Sequence, residues 1–335
     1  MTTTDQDRIK GCLYGQAIGD ALGLPLEFKS STLLAKMYPE PPTQYESCDR
    51  GASKWEKGEW TDDTEMALAI LDSYLEDGMT DTSLAKHFLE WARRDGRGMG
   101  NHTWTVISDG VYSLDPRAVS ESVWENSGRR MAPNGGVMRT SVIGAINPWD
   151  LGWVETAAVM ACQTTHYDPR CVASSVAVSI TIAKLIQGKD IDEAIEVGLR
   201  RGSQYHADAV EWGHKSLEEL NLDEGLDAVP RARRVPIGYT WKCMGAGFWA
   251  LRHFNNFPLR GATTSEKFLW TLQKVLMAGG DADTNGAVAG AMMGAATGFS
   301  LIPRSLSTTL RDTQRLDVKL SALYNLQGSQ PQATR

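Results

Sequence analysis

Two short clusters of oxygen donors lie near opposite ends of a 335-residue chain, Thr61-Asp62-Asp63-Thr64 and Asp281-Ala282-Asp283-Thr284. Carboxylates and hydroxyls are hard ligands, so the two clusters brought together would hold divalent cations of the magnesium or manganese type in an all-oxygen cage. Taken alone, the first cluster reads as a helix cap, because Thr and Asp before an apolar run are common N-caps. The second is harder to explain that way. One cap needs one carboxylate, and Gly279-Gly280 in front of it permits the irregular helix entry through which Asp281 and Asp283 would converge on one ion.

Further candidates lie outside the two clusters. Asn134-Gly135-Gly136, following Pro133, reads either as an ordinary turn or as a loop whose amides approach a diphosphate. Gly98, Gly100 and Asn101 make a second loop of that kind. His166, ahead of the turn at Asp168-Pro169, is either a structural hydrogen-bonder or a site residue. Glu27 stands between Leu26 and Phe28 and is either a surface Glu beside two buried neighbours or a carboxyl whose apolar setting raises its pKa toward proton-transfer duty.

Helices must carry these residues. From Glu65 to Glu76 the spacing sets Met66, Ile70 and Tyr74 on one stripe and Ala67, Leu71 and Leu75 beside it, with Asp62 as N-cap and Glu65 as its capping-box partner. Asp190 and Glu193 open another helix, and Val172 to Gln187 is long enough before Gly188 to be a buried helix rather than a strand. Glycine recurs every fourth residue at Gly11, Gly15, Gly19 and Gly23, and again at Gly286, Gly290, Gly294 and Gly298. Each costs a helix interior roughly 1 kcal/mol against alanine, so two stripes imply compensating close contact that joins the first and last motif-bearing helices. No regular alternation of strands and helices is present. The expectation is an all-α single domain over residues 1–327, with a disordered tail over 328–335. Pro39 to Gly58 is a lid over the site or an ordinary surface loop, and Pro230 to Gly238 is a loop carrying Arg231, Arg233 and Arg234.

Composition narrows the class. Five cysteines without a C-x-x-C pair argue against a disulfide framework and a thiolate metal site, and no H-E-x-x-H pattern supports zinc-peptidase chemistry. A net charge of −7 without a sustained basic run argues against nucleic-acid binding. No run approaches the roughly 18 apolar residues of a membrane span, and the polar N-terminus lacks a signal-peptide core. A cytoplasmic monomer is expected.

In order along the chain, Gly19-Asp20-Ala21-Leu22-Gly23 with Glu27, Trp60-Thr61-Asp62-Asp63-Thr64-Glu65-Met66, Gly100-Asn101, Asn134-Gly135-Gly136-Val137-Met138-Arg139, Thr165-His166 and Gly279-Gly280-Asp281-Ala282-Asp283-Thr284 resemble the ADP-ribosylglycohydrolase family. The resemblance spans roughly residues 8 to 305. It implies a compact all-helical fold with a binuclear Mg or Mn centre held by Thr61, Asp62, Asp63, Asp281, Asp283 and Thr284. It further implies that Glu27, with Asp62, serves catalysis by positioning or deprotonating water, that Asn134, Gly135 and Gly136 hold the diphosphate, and that His166 and Asn101 contact ADP-ribose. The reaction implied is hydrolysis at the anomeric carbon of ADP-ribose on an ADP-ribosylated protein, linked through arginine, serine or a related group. Alternatives are a non-catalytic ADP-ribose-binding protein of the same fold and a metal-dependent nucleotide phosphohydrolase. Some arginine-directed relatives carry an acid three positions before the Asn matching Asn101. Here Gly98 stands there and Asp95 is the nearest carboxylate, so the resemblance does not extend to that preference. Adenine contact is expected from Tyr239 or Trp241.

Overall fold

The glycine stripes decide the architecture. In the computed structural model, which describes residues 2–50, 53–227 and 237–329, the helices α1 (Thr3–Gly23) and α15 (Ala282–Thr297) run antiparallel along each other. A Cβ added to Gly11, Gly15 or Gly19 would overlap the carbonyl oxygen of Gly294, Gly290 or Gly286. Gly23 meets the backbone of Ala282 and Asp283. The helices therefore touch backbone to backbone, and that register places the end of α1 against the start of α15.

Around this pair pack α2 (Ser31–Met37), α3 (Asp62–Asp72), α4 (Asp81–Arg94), α5 (Asn101–Ile107), α6 (Pro116–Asn126), α7 (Ser141–Ile146), α8 (Leu151–Gln163) and α9 (Pro169–Ile186). Then come α10 (Ile191–Gly202), α11 (Ala209–His214), α12 (Leu217–Leu220), α13 (Thr240–Asn255), α14 (Thr264–Met277), α16 (Arg304–Thr309) and α17 (Thr313–Ser329). The all-α expectation holds. Among the described residues, strand is confined to two antiparallel ribbons, β1 (Lys29–Ser30) with β4 (Gly279–Gly280) and β2 (Cys48–Arg50) with β3 (Ser53–Trp55).

α9 is the core helix, as expected from its length. Contrary to the expectation that no run reaches a membrane span, it has the length and mean hydropathy (1.4) of one, but 83% of it is buried inside the protein. Asp190 caps α10 as expected, accepting from the amides of Asp192 and Glu193. The capping box expected at Asp62 and Glu65 is not formed. Thr61 is the N-cap of α3, without a side-chain cap bond. Glu65 instead accepts from Trp60 Nε1 at 3.0 Å and pairs with Arg94 and Arg315. Gly328 and Ser329 close α17; residues 330–335 and the arginines Arg231, Arg233 and Arg234 lie outside the described residues.

Candidate active site

Three chain segments meet where α1 ends. The segment after Glu27 forms β1, pinned to β4 by the pairs Lys29↔Gly280 and Ser30↔Gly279, and Phe28 N donates to Gly280 O at 2.8 Å. Gly279 and Gly280 both have positive φ, +75° and +76°, a conformation side-chain-bearing residues rarely adopt. This bend delivers Asp281 and Asp283 beside Glu27, and ligand oxygens of the three buried carboxylates lie within 4.8 Å of one another. Glu27, expected to serve water rather than metal, is grouped by the geometry with the two aspartates.

The third segment is α3, and Asp20 holds it. This fully buried carboxylate on α1 accepts from Thr61 N (3.0 Å), Thr61 Oγ1 (2.9 Å), Thr64 N (3.1 Å) and Thr64 Oγ1 (2.6 Å). It does from a neighbouring helix what an N-cap side chain does locally, and so fixes the turn that carries Asp62 and Asp63, which line the same cavity as Asp281 and Asp283. Asp20 was legible only as part of a motif and had no role in the sequence reading. Its signal was a carboxylate inside an otherwise small and apolar helix face. Thr61 does not line the cavity, for its hydroxyl lies within hydrogen-bond distance of Asp20 and Asp63.

Crowding of these acids is expressed in their protonation. Burial, with the charge of Asp283, pushes Asp20 up to about 7 even against the bonds from Thr61 and Thr64; burial and Asp283 likewise push Asp281 up to about 7. Asp62 and Asp63 are raised well above the ordinary carboxyl value, first by burial and then by charge, chiefly that of Asp283 at Asp62 and that of Asp20 at Asp63. A divalent cation would relieve that repulsion. The donors fit one of the hard type: carboxylates and the Thr284 hydroxyl, with Asp63 Oδ1 buried and without a hydrogen-bond partner.

The acids line a cavity of about 510 Å³ together with Asn101, Asn134, Gly135 and His166. Asn134 N donates to Gly238 O (2.9 Å) and Thr240 N to Ala132 O (3.0 Å), clamping this loop to the start of α13. The Asn134 amide donates to Asp281 Oδ2 at 2.9 Å, so its side chain positions a candidate ligand rather than standing free for a diphosphate. Gly135 lines the cavity, and a Cβ there would press on the His166 ring at 2.8 Å. Gly136 is turned instead to Cys162 and His166.

His166 is oriented by a relay that sequence reasoning missed. Arg139, fully buried and stacked on Phe88 at 4.4 Å, donates to Thr165 Oγ1 (2.6 Å), which lies 2.7 Å from His166 Nδ1. Burial, helped by His102 and Arg139, holds His166 well below its ordinary pKa. A neutral ring accepting the Thr165 hydroxyl proton at Nδ1 carries its own proton on Nε2, the edge facing Gly135, where it can donate to a phosphate oxygen. This tautomer is inferred from the hydrogen-bond network.

Other expectations are corrected. Trp241 is completely buried and cannot stack a base. Tyr239 is half-buried and, with Trp212, Met131 and Lys242, lines an adjoining cavity of about 730 Å³. Glu27 is not in a purely apolar setting, because Arg50 pairs with it. Gly98 sits at φ +87° where a side chain would overlap Asp62 Oδ1, and Asp95 is held by Arg97 Nε at 2.7 Å.

Comparison with known proteins gives the family and the fold. The family model for ADP-ribosylglycohydrolase matches residues 1–333. An uncharacterized protein of Archaeoglobus fulgidus is 27% identical, over 96% of this chain and 97% of its own. The ADP-ribosylarginine hydrolase Tri1 of Serratia proteamaculans is 24% identical over 95% and 79%, and the ADP-ribosylhydrolase ARH3 of Gallus gallus 24% over 95% and 93%. A solved structure described as an ADP-ribosylglycohydrolase-related protein complex shares the fold at a TM-score of 0.67 and 24% identity, covering 97% of this chain and 99% of that one. With its whole length matched and its acids gathered at one cavity, the chain belongs to the ADP-ribosylglycohydrolase family, a family of glycosyl hydrolases.

Proposed function

We propose that this protein releases ADP-ribose from modified protein side chains by a divalent-cation-dependent attack of water at the anomeric carbon. The observation that carries the reading is the convergence of Glu27, Asp281 and Asp283 from chain segments more than 250 residues apart, in the lining of a cavity whose other residues include Gly135 and His166. Asp62, Asp63, Asp281, Asp283 and Thr284, with Thr61 behind them, would hold Mg or Mn ions, two by family resemblance. When bound, such ions supply positive charge toward ribose hydroxyls and water.

The chain's own groups divide the remaining work. Gly135 and the His166 Nε2–H receive the diphosphate. The adjoining cavity beside Tyr239 and Trp212 has aromatic walls suited to the adenine. Glu27 orients water and takes its proton as the bond from the anomeric carbon to the acceptor breaks, while the surrounding carboxylates favour the positive charge that builds on the sugar. The proton then passes to the departing side chain, so that water is divided between the two products.

Incubation with proteins ADP-ribosylated separately on arginine and on serine, with and without Mg, tests this. Free ADP-ribose formed only with the cation is expected, and the better substrate identifies the acceptor. Binding without product would indicate an ADP-ribose-binding protein, and AMP or phosphate a nucleotide phosphohydrolase.

A further inference from the structure

Arg50 reaches the acidic centre from β2. It pairs with the Glu27 carboxylate through Nη1, while Nη2 donates to Leu24 O at 2.6 Å and lies 3.4 Å from Asp283 Oδ2. Its guanidinium is flanked by the rings of Phe28 and Trp55, at 5.3 and 5.6 Å. Glu27 and Asp283 are two of the three carboxylates whose ligand oxygens converge. Among the described residues, Arg50 is the only cation that forms an ion pair with Glu27, Asp62, Asp63, Asp281 or Asp283.

A guanidinium and a divalent ion compete for the same carboxylate lone pairs, and their like charges repel in a partly buried setting. Phe28 accommodates the arrangement in a left-handed backbone conformation (φ +61°) with its ring largely exposed, and the ribbon that carries Arg50 has only three residues per strand. Short two-stranded ribbons are marginal alone and move at little cost. We propose that Arg50 is the resident counter-ion of the acidic centre and that a divalent cation must displace it from Glu27 and Asp283, loosening the β2–β3 ribbon beside the cavity. Cation occupancy and access to the cavity are thereby coupled. This rests on the reading of the acidic centre as a cation site.

The test is calorimetry with MgCl2 alone on the full chain, its R50Q variant and its R50K variant, without substrate. R50Q is expected to bind Mg about tenfold more tightly or better, because a nearby like charge is removed, and R50K to stay within about threefold of the parent. Hydrogen exchange of the parent gives a second readout independent of any variant, with the amides of β2 and β3 expected to exchange faster once Mg is added. Equal or weaker Mg binding by R50Q overturns the proposal, as does ribbon exchange that Mg leaves unchanged or slows. Absence of Mg binding to the parent overturns the cation-site reading itself, and the proposal falls with it.

Discussion

The carboxylate of Asp20 on α1 accepts two hydrogen bonds from Thr64 on α3, from its amide at 3.1 Å and its hydroxyl at 2.6 Å. One helix thus caps another, and Asp62 and Asp63 lie in the turn so fixed. Replacing Asp20 by Ala leaves the buried Thr61 and Thr64 donors without their acceptor. A loss of about 1–3 kcal/mol is expected, together with weaker Mg binding, measured by thermal unfolding and calorimetry on one preparation. Unchanged Mg affinity would mean that α3 keeps its place without this bond.

Gly290→Ala should destabilise the protein although alanine is the better helix former. The added methyl would overlap the Gly15 carbonyl, so the helix pair must separate, at a cost of roughly 1–3 kcal/mol or more. Gly110→Ala is the control, since nothing lies within 4 Å of its Cβ position. A melting temperature for Gly290→Ala at or above the parent's would contradict the backbone contact.

Stability without metal should fall as pH rises. Asp20 and Asp281, held at about 7, bind protons in the folded state that an unfolded aspartate has released by about pH 5. Their contribution is full below the unfolded pKa near 4 and is lost as pH climbs through about 7. The melting temperature in chelator should therefore be lower at pH 8 than at pH 5. Adding Mg should raise it most at pH 8, where no protons need be expelled from the ligands, and proton release on Mg binding should be measurable near pH 6.

Glu27→Gln separates a catalyst from a ligand-holder. If Glu27 takes the proton of the attacking water, turnover should drop by roughly 10²-fold or more while the ADP-ribose dissociation constant changes by less than about tenfold. Calorimetry beside a hydrolysis assay checks both. Joint collapse of affinity, turnover and metal content would reassign Glu27 as a ligand, the role its convergence with Asp281 and Asp283 makes available.

Much of this molecule was legible because its signals are local or periodic. The four-residue glycine spacing marks a face that must meet another backbone, and two such faces at opposite ends of the chain have each other as the natural partner. The all-α class, the α9 and α10 helices and the pairing of α1 with α15 follow from periodicity and caps, which act within a few residues. The acid clusters were visible for the same reason, as unusual densities of one donor type. Which side chain does which work was not written there. The Asp62 capping box gave way because Asp20, 42 residues earlier, supplies acceptors to the start of α3, freeing Glu65 for Arg94 and Arg315. Asn134 turned to Asp281, Trp241 sank into the core, Arg139 reached His166 through Thr165, and Arg50 settled on Glu27. Each of these depends on packing between residues distant in the chain, and hydrogen-bond satisfaction in a buried site is settled only when every neighbour is in place.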